Sequence, residues 1–196
     1  MQKTGTYLAI DTEFTGHHPH LHGLVECGYL ILDSELQELY RFSSFVCPPE
    51  GYQVSEEARN FMDFDFEQIQ SGITYEQLVD QLIADVDTWC QKKPILIGHF
   101  LAMDFAYLNN IFSRVGKDQE LWNTCLGHST IDTKSLANVI NLKSELNGQE
   151  KPFPITSLSK PGGLTERLGI TDYQSHTALG DAQATVRVLE KLLTYL

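Results

Sequence analysis

The 196-residue sequence contains no apolar run approaching the length of a bilayer span, and Met1-Gln2-Lys3 does not open a secretion signal. No membrane role is expected, and a cytoplasmic setting is. The four cysteines, Cys27, Cys47, Cys90 and Cys125, are widely spaced and form no Cys-x-x-Cys pair. Reduced thiols therefore fit better than a disulfide framework or a zinc site. Positive charge is scarce as well: 14 Lys and Arg stand against 26 Asp and Glu, a formal net charge of −12. That balance argues against an extended basic groove for a long polyanion. It leaves room for short substrates, single-stranded ends, or nucleic acid held mainly by a partner. Internal repeats are absent too. What remains, 42% hydrophobic and 20% charged residues, is ordinary for a globular chain. Its length suits a single domain, 1–196, with a substantial core.

Tyr7 to Ile10 read as a first buried strand, Leu24 to Leu32 as a second and Arg41 to Val46 as a third. Short turns, one of them from Asp33 to Glu38, suit antiparallel pairing of these three. Ser55 to Asn60 has the length of a short helix, and the alternating Phe61–Phe66 stretch suits a rim. Thr74 and Gln77 have capping-box spacing ahead of an apolar stripe at Leu78, Val79, Leu82, Ile83, Val86 and Trp89. Pro94 to Gly98 reads as another buried strand. Phe105, Leu108, Phe112 and Val115 mark a helix closed by Gly116. Ser129 to Thr133 suggests one more strand end, with Asp132 or Thr133 capping a helix over Leu136–Ile140. Residues 141–163 read as an exposed connection, and Thr165–Leu168 as a short helix. Asp181 opens a last helix with the stripe Ala182, Val186, Leu189, Leu193 and Leu196. Early strands followed by alternating helix and strand indicate an α/β sheet with mixed pairing.

Asp11 and Glu13, two apart on an extended strand, point to the same side. Adjacent carboxylates at a buried strand end repel each other and lose hydration, which a hard divalent cation relieves. Alone, the pair would also suit a solvated strand end. Asp104 follows the 94–98 strand at the start of a helix, and Asp181 lies five residues after His176. Each of those acids, taken singly, also suits a helix cap or first-turn position. In open α/β sheets, however, ligands bind at the carboxyl ends of parallel strands, where following helices begin. Four acids and a histidine converging there favour a shared site.

Asp11-Thr12-Glu13-Phe14-Thr15-Gly16, Gly98-His99-Phe100-Leu101-Ala102-Met103-Asp104-Phe105 and His176-Thr177-Ala178-Leu179-Gly180-Asp181-Ala182 resemble the three motifs of the DEDDh (DnaQ-like) exonucleases. That family includes the proofreading epsilon subunit of bacterial DNA polymerase III, ribonuclease T and oligoribonuclease. The resemblance covers essentially the whole chain, and a histidine five residues before the last acid is its most discriminating element. It implies a ribonuclease H-like fold, a mixed five-stranded sheet flanked by helices. It also implies 3′-to-5′ exonuclease activity with two Mg²⁺ or Mn²⁺ ions, releasing nucleoside 5′-monophosphates. By resemblance, Asp11 bridges both ions, Glu13 and Asp181 complete one, Asp104 supports the other, and His176 is the general base. Phe100 and Met103 depart from the residues common in relatives, Asn and Phe, which alters the nucleotide pocket while leaving every ligand in place.

For the substrate, Phe14 is the aromatic best placed to stack on a terminal base, with Phe105 and Tyr107 as alternatives. The helical spacing of Phe105 equally suits core packing. Thr12, Thr15 and His99 are candidates for contacts to the last nucleotide. Lys143, Lys151 and Lys160 are candidates for the substrate backbone, the other cations being scattered. His17, His18, His20 and His22 crowd one loop, but their spacing fits no zinc pattern. Expected partners are single-stranded nucleic acid 3′ ends, short ones given the acidic surface. A homodimer is left open, as is DNA against RNA. Two rival readings stand beside this one. A proofreading subunit would need a polymerase-docking surface, and no tail after Leu196 is expected to provide one. A catalytically inactive nucleic-acid-binding module is disfavoured by the intact acids and histidine.

Overall fold

A computed structural model describes residues 4–61, 66–125 and 129–196. Five strands form one sheet: β1 (Gly5–Phe14), β2 (Leu24–Leu32), β3 (Glu38–Phe45), β4 (Cys90–Gly98) and β5 (Thr130–Asp132). Their order is β3-β2-β1-β4-β5. β1–β2 and β2–β3 pair antiparallel, while β1–β4 and β4–β5 pair parallel. This is the mixed five-stranded arrangement expected. β1 is longer than its apolar run because the ladder to β2 continues from Tyr7↔Leu32 through Glu13↔Glu26 to Phe14↔Leu24. β4 likewise begins at Cys90, which pairs with Gly5, although Gln91–Lys93 are exposed and show no strand-like apolar pattern.

The helices are α1 (Glu56–Phe61), α2 (Phe66–Gln70), α3 (Tyr75–Trp89), α4 (Ala102–Arg114), α5 (Asp118–Glu120), α6 (Thr133–Leu146), α7 (Leu164–Arg167) and α8 (Ala178–Leu193), with one π-helical turn at Leu121–Cys125. The Thr74–Gln77 capping box is formed in both directions. Asp132 caps α6 through the Ser135 N–H (2.7 Å). Of the alternating Phe61–Phe66 stretch, residues 62–65 lie outside the described residues. Even-numbered Leu8 and Ile10 of β1 join the core beneath α3 and α4, whereas Ala9 packs with Leu30, Leu32, Ile97 and α8 residues Val186 and Leu189 on the other face.

Two expectations are corrected. The connection after Ile140 is not simply exposed: α6 runs on to Leu146, and Phe153 and Leu158 are buried against α6, α7 and α8. Asn141 fastens that segment, donating to the Phe153 carbonyl (2.7 Å) and accepting its N–H (3.0 Å). Leu193, the last residue of α8, and Leu196, beyond its end, fall outside the apolar face, at 49% and 62% exposure. The buried side near the C-terminus is Ala184, Val188 and Leu192, because α8 packs against α6 and Phe153 as well as against the sheet.

Candidate active site

Strand alternation sorts the acids onto two sides. Asp11 and Glu13 share the parity of Ala9 and face α8, while Thr12 faces α4. One oxygen each of Asp11, Glu13 and Asp181 lie within 4.8 Å of one another. Asp104 stands apart from that triplet because it comes from the α4 side. There the Thr12 hydroxyl donates to its Oδ1 (2.7 Å). It is still near enough that its charge is, after burial, the largest influence on Asp11.

Two glycines seat Asp181. Gly28 lies opposite Asp11 on β2, and a Cβ there would collide with the Ala178–Leu179 backbone, so its absence lets α8 begin directly on the sheet. A Cβ at Gly180 would strike the Gln174 carbonyl, so glycine permits the preceding loop to fold over the helix start. Thr177 caps α8, accepting the Gly180 N–H (3.2 Å) and donating to Gln174 (2.9 Å). His176 is thereby held exposed beside Asp181 with φ 61°, a left-handed backbone that histidine tolerates better than most residues. Its charge and backbone N–H both pull the Asp181 carboxyl down.

Burial outweighs that pull and raises Asp181 to about 6. Burial, then the charges of Asp181, Glu26 and Asp104, pushes Glu13 up to about 8. Burial also lifts Asp104 to about 7 against the Thr12 hydrogen bond, and drives Asp11 well above the carboxylate range. Such a cluster is held either by protons or by cations. The donor set suits a cation: all ligands are hard oxygens, and Asp181 Oδ1 is buried with no hydrogen-bond partner among the described residues.

Glu26 went unnoticed in the sequence. It pairs across the ladder with Glu13, is only 9% exposed and accepts the Ala178 N–H (3.2 Å). The signal available was its place inside an otherwise apolar strand, where a lone acid requires a partner.

The nucleotide-contact candidates divide. Thr12 is spent on Asp104. Thr15 turns inward instead of toward a substrate, its hydroxyl donating to the Gln53 carbonyl (2.6 Å) and accepting the Gly23 N–H (2.9 Å). Phe14 is half-buried with one ring face stacked on Tyr107 (4.6 Å between centroids, 7° apart). Phe105 packs on the core beside Trp122, the alternative its spacing allowed. His99 shares a hydrogen bond with Thr133 (2.9 Å), and burial lowers it to about 4, so it is neutral. In the histidine loop, the His22 ring accepts the His18 N–H (3.0 Å) and fills the space beside Gly16, while His20 meets Asn110 (2.9 Å). Lys143 binds the carbonyls of Tyr195 and Leu196, and Lys151 pairs with Glu145, so neither cation is directed at the acids.

The strand order is that of a ribonuclease H-like sheet, with half-buried acids at the carboxyl edge of its central strand, where open α/β sheets bind their ligands. Residues 8–189 match the RNase_T family, described as Exonuclease, and the chain belongs to this family. Among solved structures, E. coli exonuclease I in complex with a dT13 oligonucleotide is 19% identical with a TM-score of 0.71, over 97% of this chain and 41% of that one. Apo exonuclease I aligns at 20% identity and TM-score 0.73, over 97% and 42%. The zinc-ion-bound form of an E. coli ExoI–ssDNA complex aligns at 19% and 0.71, over 97% and 40%. At such identities the likeness establishes the fold. The chain spans about two fifths of the length of these neighbours. No curated protein matches it by sequence. No helix among the described residues is long and apolar enough to cross a membrane.

Proposed function

We propose that the chain is a 3′-to-5′ exonuclease domain of DEDDh type, spanning 1–196, that removes nucleoside 5′-monophosphates from single-stranded DNA or RNA ends. The observation that carries this reading is the convergence of Asp11, Glu13 and Asp181 oxygens within 4.8 Å, with Asp104 alongside and His176 exposed above Asp181. Asp11, Glu13 and Asp181 would hold one Mg²⁺ or Mn²⁺, and Asp11 with Asp104 a second. Bound there, such ions supply a water acidic enough to attack phosphorus and neutralise the leaving 3′ oxygen. The chain's own residues do the rest. His176, free of the core and tethered to Asp181, takes the proton of the attacking water at a ring nitrogen. Thr12 keeps the Asp104 carboxylate aimed and its pKa down. Burial of the acids keeps bulk water from screening them. The solved neighbours that carry single-stranded oligonucleotides agree with this substrate class.

The test is a cleavage time course on 5′-labelled single-stranded DNA and RNA of matched sequence, with Mg²⁺, Mn²⁺ or chelator. We expect a metal-dependent ladder shortening from the 3′ end. It should be abolished by Asp11→Ala and slowed about 10²-fold or more by His176→Ala. No ladder on either polymer, with oligonucleotide binding retained, would make the chain a binding module instead.

A further inference from the structure

We propose that Phe100 and Lys134 form a platform on which a base of the bound strand stacks, flanking the acids on the β5 side; this rests on the nucleic-acid reading above. Phe100 has φ 63°, one of three non-glycine residues among those described with positive φ, and unlike His176 it is a bulky residue for which that conformation is strained. The neighbours hold it there. The Leu101 N–H donates to Asp132 Oδ2 (2.7 Å), the Met103 N–H donates to the Phe100 carbonyl (3.2 Å), and His99 is tied to Thr133. The strain does not serve the core, since the ring is 48% exposed while the next residue, Leu101, is buried. An apolar ring is thus held at the surface by a backbone that resists it, four residues before Asp104 and at the carboxyl end of β4.

Lys134, in the first turn of α6, places its ammonium 4.2 Å from the centre of that ring. Among the described residues it forms no ion pair, unlike Arg41, Lys117, Lys151 and Arg187, which all meet acids. Five carboxylates, Asp11, Glu13, Glu26, Asp104 and Asp181, influence one another at the same end of the sheet, where β4 and β5 also end at Gly98 and Asp132. A polyanion approaching those acids gains from a cation beside them. An aromatic face beside a cation is the pairing that holds single strands without reading sequence: the ring takes a base and the ammonium a phosphate. The platform therefore fits a single-stranded polynucleotide, with no preference for base identity.

The experiment compares wild type with Phe100→Asn, Phe100→Trp and Lys134→Gln, measuring KM and kcat on a single-stranded decamer, anisotropy of the labelled decamer, and thermal midpoint. Asparagine accepts the left-handed backbone and removes the ring. We expect Phe100→Asn to raise KM and the anisotropy Kd about tenfold without lowering the thermal midpoint. Lys134→Gln should raise KM less and flatten the salt dependence. Phe100→Trp should restore binding, its extra emission being quenched by oligonucleotide relative to wild type. An unchanged Kd in Phe100→Asn, a lowered midpoint in that variant, or unquenched Phe100→Trp emission would each overturn the platform while leaving cleavage by the wild type intact. A wild type that neither binds nor cleaves the decamer would overturn the exonuclease reading itself, and the platform with it.

Discussion

Thr12 shows how one hydroxyl sets the chemistry of an acid 92 positions away. Its bond pulls the Asp104 carboxyl down against burial, which still leaves it raised to about 7. Hydrogen bonds to charged groups contribute about 1.5–3 kcal/mol. Thr12→Val keeps the shape and removes the donor, so Asp104 should become harder to ionise. We expect kcat/KM near pH 7 to fall about tenfold and to recover as pH rises. A pH–rate profile displaced upward on its acidic limb checks this, and a uniform loss across pH would refute it. The parity of Thr12 was legible from strand alternation. Its partner was not, because nothing local indicates that Asp104 arrives on the α4 side. Glu26 was missed for the same reason: its neighbours Glu13 and Ala178 come from other elements.

At the scale of elements, the α6–α7 connection is the instructive case. Its prolines, asparagines and lysines suggest solvent exposure, yet Phe153 is 1% exposed. Irregular backbone can be buried once its polar groups are satisfied, and Asn141 supplies both partners. Asn141→Ala would leave the Phe153 N–H and carbonyl unpaired, and we expect a loss of about 2–4 kcal/mol. Urea unfolding should show a lower midpoint with an unchanged slope. A shift below about 0.5 kcal/mol would mean that water replaces the clamp. Helices announced by caps and periodicity, α3 above all, were legible because their determinants lie within one or two turns.

For the whole molecule, the consequence of gathering these acids is a pH dependence of folding. A carboxyl whose pKa is raised on folding contributes stability below its unfolded value, 3.8 for Asp and 4.5 for Glu. That contribution is lost as pH rises through the folded value, about 6 for Asp181, 7 for Asp104 and 8 for Glu13. His99 acts on the acid side. Lowered from 6.5 to about 4, it contributes stability above 6.5 that is lost as pH falls toward 4. Metal-free protein should therefore have its thermal midpoint decline from about pH 4.5 to pH 8, with His99 offsetting part of that decline below pH 6.5. Mn²⁺ should raise that midpoint more at pH 8 than at pH 5, because cation and protons compete for the same oxygens. Thermal melts with chelator or Mn²⁺ across that range measure it. An equal rise at both pH values would show that the ion binds elsewhere.

The amino-acid sequence by itself determined the strands with apolar runs, the capped helices, the parity of Asp11, Thr12 and Glu13, and the motif order that pointed to an exonuclease. Each depends on neighbours within a few residues or on residue type at fixed spacing. Tertiary structure alone decided that Glu26 joins the acidic cluster, that Thr12 is bonded to Asp104, that Thr15 serves its loop, and that Phe100 is held strained at the surface. Those outcomes depend on which faces of β1, β2, α4 and α8 meet. That is set by close approach at Gly28 and Gly180 and by hydrogen bonds between segments far apart in the chain.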